Sequence, residues 1–249
     1  MALTSDTEIT VLGQKVRLLQ PAEGGFRTSL DSVMLAAACP AKDGDHVLDL
    51  GCGVGGASFC LLYRLPTAKL TGIEWEQTYL DLAIRNAALN GVSERSSFIH
   101  SDIRDYKVDG NVPIYDHVMV NPPFSEAGTY MQSPDPIKAK ALGHIDKDLT
   151  LEDWVMAAHR LVKSKGSFTI IYPTTGVDRI IRAMGKRFGA IEIIPLWPRV
   201  GVDSKRVIIR AIKDRQTPSC IKSGIVLHQE DGSYTDAAEA VLREVQPLV

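Results

Sequence analysis

The sequence has few cysteines, and their spacing does not suit structural chemistry. The four, Cys39, Cys52, Cys60 and Cys220, include no CxxC pair, and no histidines stand at zinc-finger spacing. Neither a disulfide framework nor a zinc site is therefore predicted, and no metal is expected. All four are predicted to be small buried hydrophobic residues in a reducing compartment.

The chain also lacks an excess of charge of either sign and any long apolar run. Its formal net charge is -2, so no global field attracts nucleic acid, and an RNA substrate would have to be met by local basic patches. No run approaches the roughly 18 apolar residues of a membrane span. The N-terminus, MALTSDTEIT, lacks the basic and then apolar pattern of a signal peptide. We expect a cytoplasmic protein with no membrane partner.

The composition is that of a globular protein, with 45% hydrophobic residues in a chain of 249, which is enough for one sizeable core. From His46 onward, short β-rich runs alternate with helical stretches, which is typical of a parallel sheet covered by helices on both faces. Two adjacent β-rich runs near the end predict an antiparallel hairpin that closes the sheet. The predicted strands are 46–50, 69–74, 96–100, 115–120, 166–172, 191–197 and 205–213, and the predicted helices are 57–65, 76–91, 150–163 and 177–188.

These elements make residues 46–217 a predicted Rossmann-like α/β domain with a mostly parallel sheet. Residues 1–45 are expected to be a small extension packed on it, with a hairpin over 7–20 and a helix over 30–38. Residues 218–249 are expected to add a strand over 223–228 and a helix over 236–245, capped by Thr235, to the same domain.

A glycine-rich turn follows the first predicted strand of the core, in the segment VLDLGCGVGG at 47–56. Glycine lets the backbone turn tightly and approach a ligand closely. The spacing satisfies GxGxxG, so the turn alone leaves a dinucleotide and S-adenosylmethionine both open. The residues predicted to contact a cofactor here are Asp49, Gly51, Cys52, Gly53 and Gly55.

Acidic residues stand at the ends of the next two strands. Glu74 closes the second strand, where a carboxylate can accept both hydroxyl protons of an adenosine ribose, and it is predicted to bind the cofactor together with Trp75. Asp102 follows the third strand at the height expected for the adenine, and is predicted to bind there with Ile103. A solvent-exposed loop aspartate is the alternative for Asp102.

The most informative motif is Asn121-Pro122-Pro123-Phe124, which follows an apolar strand. Ligands of open α/β sheets bind at this edge. The prolines fix the backbone and leave carbonyls without helical pairing, and Asn121 adds a side-chain oxygen, so together they present acceptors to an NH₂ group. Such acceptors stabilise positive charge developing on nitrogen, while Phe124 offers a stacking face. We predict that these four residues are catalytic and that Asn121 also borders the cofactor.

The glycine turn, the two acids and the NPPF motif together resemble the motif set of class I amino-methyltransferases. Residues 25–36, GFRTSLDSVMLA, further resemble the N-terminal segment of bacterial adenine-N6 methyltransferases that modify a valine tRNA beside the anticodon. This resemblance covers about 16–242. It implies S-adenosyl-L-methionine as the cofactor, the N6 amine of an adenine in tRNA as the acceptor, and Phe26, Arg27 and Asp31 at the cofactor pocket. Arg27 is then the candidate partner of the methionine carboxylate.

Three groups of basic residues are candidates for contact with RNA phosphates. For the group on the predicted helix 177–188, a solvated helix face is the alternative. Residues 128–148 are predicted to form a lid over the target base. No catalytic role is predicted for His144 or His159, since neither belongs to a recognisable catalytic constellation. The three basic groups are Arg179, Arg182 and Lys186; Lys138 and Lys140; and Lys205, Arg206 and Arg210.

Two other functions remain open at this stage. A methyltransferase of a protein glutamine amide would use the same acceptor chemistry, but such enzymes generally carry a separate N-terminal helical domain, for which 45 residues leave no room. A protein that binds S-adenosylmethionine or RNA without catalysis would be expected to lose Asn121 or Glu74, and both are present.

Overall fold

A computed structural model describes residues 6–22, 28–123 and 149–248. Within these ranges the strands are β1 (Asp6–Val11), β2 (Val16–Pro21), β3 (His46–Leu50), β4 (Lys69–Glu74), β5 (Ser96–His100), β6 (Tyr115–Val120), β7 (Val162–Pro173), β8 (Phe188–Trp197), β9 (Arg206–Lys213), β10 (Cys220–Ile221) and β11 (Ile225–Val226). The α-helices are α1 (Leu30–Ala38), α2 (Gly56–Arg64), α3 (Gln77–Leu89), α4 (Leu151–Leu161), α5 (Val177–Met184) and α6 (Asp236–Leu242).

The main sheet has the order β5-β4-β3-β6-β7-β9-β8, with β10 and β11 both paired to the outer side of β8. The strands from β5 to β7 are parallel, whereas β9 is antiparallel to both of its neighbours, β7 and β8. The predicted Rossmann-like fold, with a mostly parallel sheet and a terminal antiparallel hairpin, is therefore confirmed.

Both faces of the sheet are buried, because its central strands carry apolar side chains on each face. Val47 and Met119 face one hydrophobic cluster, which α1, α2 and the N-terminal hairpin complete. Leu48 and Val118 face the opposite cluster, completed by α4 and α5. Successive side chains of a strand point to opposite faces of the sheet. A strand that is buried on both faces therefore has apolar residues at successive positions in the sequence.

Both ends of the described chain contact α2. The predicted N-terminal hairpin is present, with β1 and β2 antiparallel. At the other end, the guanidinium of Arg64 on α2 donates to the carbonyls of Val241 and Val245, and the Leu248 amide donates to Ala37 on α1. The predicted Thr235 cap of α6 is confirmed, since its hydroxyl accepts from the Ala238 amide at 3.1 Å.

Several predicted boundaries were wrong. The helix capped by Thr150 ends at Leu161 and not at 163, because Val162 already has extended backbone and opens β7. The next helix ends at Met184, since Gly185 has a φ of +51°. The capping box of Thr150 and Asp153 is confirmed, with both reciprocal hydrogen bonds present.

The C-terminal segment also differs from the prediction. The strand predicted over 223–228 contributes only the two residues of β11, and α6 ends at Leu242 rather than at 245. Cys220 lies in β10 and is exposed, so its predicted burial was wrong, whereas Cys39, Cys52 and Cys60 are buried as predicted. Polar and short segments at a sheet edge give a weak sequence pattern, which explains these errors.

Candidate active site

The carboxyl ends of four neighbouring parallel strands bring most of the predicted site residues to one edge of the sheet. The glycine turn follows β3, Glu74 ends β4, Asp102 lies just beyond β5, and Asn121 follows β6. Ligands of doubly wound folds bind at this edge, where successive strand ends and helix beginnings leave a crevice.

The glycine turn folds tightly over the end of β4. The amides of Gly51 and Cys52 both donate to the carbonyl of Ile73, at 2.9 and 3.0 Å. Gly51 has a φ of +68°, and a Cβ there would lie 2.6 Å from the ring of Trp154 on α4. Both the backbone conformation and the close ring therefore require glycine at this position. Trp154 was not predicted, because its contact with the turn arises only from tertiary packing.

Glu74 is held by the backbone at the end of β4. Its Oε2 accepts from the Gly53 amide and its Oε1 from the Glu76 amide, both at 2.8 Å. Burial raises the pKa of this carboxyl above its ordinary value, although backbone hydrogen bonds, chiefly those from Glu76 and Gly53, act in the opposite direction. Each carboxylate oxygen retains a lone pair, so the side chain can still accept two hydroxyl protons.

Asp49 lies beneath the turn on β3 and is buried. Burial raises the pKa of its carboxyl from 3.8 to about 7, although the Ser58 hydroxyl, which donates to Oδ2 at 2.6 Å, acts in the opposite direction. The nearby charge of Glu74 raises the pKa further. Burial also raises the pKa of the Cys52 thiol, which favours the neutral thiol over the thiolate.

The residues at the end of β5 form a second acidic corner. The Asp102 carboxylate accepts from the Arg104 guanidinium, and this hydrogen bond lowers the pKa of Asp102. Ile103 is buried next to it. Trp75 is 57% exposed and stacks on the His100 ring at a centroid distance of 5.9 Å, which leaves an aromatic face at the rim of the edge.

Asn121 has an unusual environment for a buried amide. Both its Oδ1 and its Nδ2 are buried, and neither has a hydrogen-bond partner among the residues that the structure describes. Pro122 is buried and Pro123 is half-buried behind it. Phe124, the fourth residue of the predicted catalytic motif, lies outside the described ranges.

A small cavity joins Asn121 to the glycine turn and to the start of α1. Thr28, Ser32 and Ala57 were not among the predicted contacts, although Ala57 directly follows the glycine turn and Thr28 and Ser32 belong to the segment 25–36 that the resemblance placed at the cofactor pocket. Phe26 and Arg27 lie outside the described ranges, and the Asp31 carboxylate accepts from Arg206 at 3.1 Å. The residues that line the cavity are Thr28, Ser32, Asp49, Gly51, Cys52, Val54, Gly56, Ala57 and Asn121.

The structure separates the basic residues that were candidates for phosphate contact. Arg206 pairs with Asp31, and Arg210 pairs with Glu192 at 2.6 Å, so both have partners within the fold. On α5, Arg182 pairs with Asp178, whereas Lys186 lies beyond the last residue of the helix, so the three candidates do not share one helix. The candidates at 138 and 140, His144 and the predicted lid lie outside the described ranges.

Residues 6–22, 28–123 and 149–248 also lack two features. No helix there is long and apolar enough to cross a membrane. No group of three or more histidine, cysteine, aspartate or glutamate side chains is arranged to hold a metal ion.

Comparison with known proteins yields relatives of one kind over most of the chain. A tRNA1(Val) (adenine(37)-N6)-methyltransferase from Aeromonas hydrophila is 28% identical over 213 residues, which cover 85% of this chain and 86% of the relative. A protein of the same name from Vibrio campbellii is 24% identical over 223 residues, which cover 89% of each chain.

A solved structure shares the fold of this chain, and a family model matches its sequence. The fold is similar to that of a protein from Agrobacterium tumefaciens described as a predicted O-methyltransferase, with a TM-score of 0.72 at 24% identity over 88% of this chain and 98% of that one. Residues 27–195 match the model of the methyltransferase small domain. Since this match spans more than half of the sequence, the chain belongs to the methyltransferase small domain family.

Proposed function

We propose that this chain transfers a methyl group from S-adenosylmethionine to the N6 amine of an adenine in tRNA. The observation that carries the proposal is the Asn121 amide, which is buried at the carboxyl end of β6 without a partner among the described residues. A buried amide without a hydrogen-bond partner lowers the stability of the folded chain. Such a loss of stability is expected where the partner of the amide is a group of the substrate.

The described residues fit the cofactor. The Glu74 carboxylate retains one lone pair on each oxygen after accepting from the turn, which suits the two hydroxyls of a ribose. The side-chain-free turn at Gly51 and Gly53 allows close approach to a ligand. When bound, S-adenosylmethionine supplies an activated methyl group on a sulfonium sulfur. Arg27 as the partner of the methionine carboxylate stays a prediction.

The residues after β6 address the acceptor nitrogen. The lone pair of an exocyclic amine is delocalised into the ring, so the amine is a weak nucleophile. Hydrogen bonds from its protons to Asn121 Oδ1 and to a carbonyl of the Pro122-Pro123 segment favour a pyramidal nitrogen, and they stabilise the positive charge that develops during transfer. The nitrogen can lose its proton after the transfer, so the site requires no strong general base.

The relatives support tRNA as the substrate. Both are named for adenine 37 of a valine tRNA, and each aligns with at least 85% of this chain. An adenine stacked in a tRNA loop must leave its stack to reach a recessed amide, as in other enzymes that modify bases. Stacking of this adenine on Phe124 is part of the proposal.

The loop between β8 and β9 is the proposed contact for tRNA phosphates. Since β9 is antiparallel to both β7 and β8, β8 ends at the same edge of the sheet as Asn121. This loop, residues 198–205, carries Arg199 and Lys205, which are both exposed. Arg206 and Arg210, by contrast, are held by carboxylates of the fold. Arg199 and Lys205 are therefore the better placed cations for phosphate.

The proposal is tested by methyl transfer from labelled S-adenosylmethionine to unmodified tRNA and, in parallel, to release factors. N6-methyladenosine in the nucleosides of the tRNA supports the proposal. Label on a glutamine of the release factor would favour the protein glutamine alternative. Tight cofactor binding without label on either substrate would favour a non-catalytic binding module.

A further inference from the structure

Asn86 on α3 connects two parts of the chain that are distant in sequence. Its side chain is fully buried, and all of its hydrogen-bonding capacity but one acceptor position is used. Its Oδ1 accepts from the Leu19 amide of β2 at 2.7 Å. Its Nδ2 donates to the Leu19 carbonyl and to the Val54 carbonyl, both at 3.0 Å. One amide thus bonds both the N-terminal hairpin and the glycine turn.

Asn90 lies one helical turn later and forms a similar pair of hydrogen bonds with β2, but it does not bond the glycine turn. Its Oδ1 accepts from the Arg17 amide at 3.0 Å, and its Nδ2 donates to the Arg17 carbonyl at 2.7 Å. The other donor bond of Nδ2 goes to the carbonyl of Asn86 in the same helix. Both asparagines therefore satisfy the outer edge of β2, as an exposed strand edge requires. Only Asn86 also bonds the glycine turn.

Both partners of Asn86 lead to residues that line the cavity. Val54 lines the cavity directly. Gln20 follows Leu19 in β2, and its Oε1 accepts from the Thr28 amide at 3.3 Å. Thr28 is itself a wall residue and packs closely on the turn, because a Cβ at Gly56 would lie 2.7 Å from its methyl group.

We propose that Asn86 is a positioning residue for the cofactor, which acts by holding the glycine turn and the Thr28 segment at a fixed separation. Without its Nδ2, the Val54 carbonyl loses a buried donor and the turn moves to find another. The cavity then fits S-adenosylmethionine less well, although no group that touches the acceptor amine has changed. The inference rests on the proposed function only in taking this cavity as the S-adenosylmethionine site.

The test compares Asn86→Ala with the matched control Asn90→Ala. Both variants lose a pair of hydrogen bonds to β2, so the melting temperature should fall in both. For Asn86→Ala we expect the Kd and KM for S-adenosylmethionine to rise about tenfold, the effect of one lost buried hydrogen bond, with kcat changed by less than about twofold. For Asn90→Ala the Kd should stay within about twofold of the wild type. Equal Kd values in the two folded variants would overturn the inference.

Hydrogen exchange in the wild-type protein gives a second test that needs no variant to fold. Addition of S-adenosylmethionine should slow exchange of the Leu19 amide, which is bonded to Asn86, and should leave the Arg17 amide, which is bonded to Asn90, unchanged. The same change at both amides, or none at either, would overturn the inference and leave the proposed function intact. Failure of the wild type to bind S-adenosylmethionine would overturn both.

Discussion

Glu74 and Asn121 stand at the same height on the two sides of Gly51. Leu50 of β3 pairs in register with Ile73 of β4 and with Val120 of β6, so Glu74 and Asn121 are the next residues on the two flanking strands. With strands spaced about 4.8 Å apart, their backbones are about 10 Å from each other. A cofactor seated on the turn between them can therefore meet a ribose acceptor on one side and the target amine on the other.

We expect Glu74→Gln to weaken binding of S-adenosylmethionine. The substitution keeps the shape of the side chain but removes the charge and one acceptor, which corresponds to a loss of roughly 1.5–3 kcal/mol, or about 10-fold to 100-fold in Kd. Calorimetric titration measures this directly, with the exposed Asp81→Asn on α3 as the control. An unchanged Kd in Glu74→Gln would remove this residue from the site.

Gly51→Ala and Gly91→Ala form a matched pair. Both glycines have nearly the same backbone conformation, with φ of +68° and +66°, but a Cβ at Gly51 would meet the Trp154 ring, whereas a Cβ at Gly91 has nothing within 4 Å. We expect Gly51→Ala to lower the free energy of unfolding by about 1–3 kcal/mol more than Gly91→Ala does. Equal losses in denaturant titrations would show that the ring does not restrict the turn.

Asp49 should make the stability of the unliganded protein depend on pH. Because burial raises its pKa from 3.8 to about 7, the folded chain holds a proton between about pH 4 and pH 7 that the unfolded chain has lost. The free energy of unfolding should fall as pH rises through this window, by about 1.4 kcal/mol per pH unit from this group. Its stabilising contribution is complete below pH 4 and lost above pH 7.

The variant Asp49→Asn should remove that contribution. Urea titrations at several pH values should therefore give a shallower decline in the variant than in the wild type between pH 4 and pH 7. Parallel declines in the two proteins would show that Asp49 titrates normally.

The proposed phosphate contacts predict a salt-dependent loss of RNA affinity. We expect Arg199→Ala combined with Lys205→Ala to raise the KM for tRNA and to reduce the salt dependence of binding by about one unit of slope for each lost phosphate contact. The Kd for S-adenosylmethionine should not change. The control is Lys69→Ala, since Lys69 begins β4 at the opposite edge of the sheet. If the control weakened tRNA binding equally, the contact surface would lie elsewhere.

The core elements could be predicted because their patterns are local. The strand 46–50, HVLDL, leads directly into glycines, and it was predicted with its observed bounds. The end of α4 was misplaced because no glycine or proline separates the helix from Val162, where the strand begins. At such a boundary only the pairing of β7 with its neighbours decides where the helix stops.

The part of the site that depends on tertiary packing could not be predicted. Asp31 and Arg206 are 175 positions apart in sequence, and no motif or periodicity around either residue indicates that they pair. The same holds for Trp154 against Gly51. The motif residues on strand ends were found because parallel topology alone brings such residues together.

Substitution of Asn121 should reduce the rate of methyl transfer far more than the affinity for the cofactor. We expect Asn121→Ala to bind S-adenosylmethionine within about threefold of the wild type, because the amide addresses the acceptor nitrogen. Its kcat should fall by about 10²-fold to 10³-fold, the usual cost of one group that stabilises developing charge. Its melting temperature should not fall, since the amide makes no hydrogen bond with the described residues.

Formation of N6-methyladenosine in unmodified tRNA should be measured for the wild type and for Asn121→Ala, at saturating S-adenosylmethionine. We predict N6-methyladenosine with the wild type and at least about 10²-fold slower formation with the variant, at nearly equal cofactor affinity. Equal rates in the two proteins, or a variant that loses cofactor binding and transfer in proportion, would contradict it.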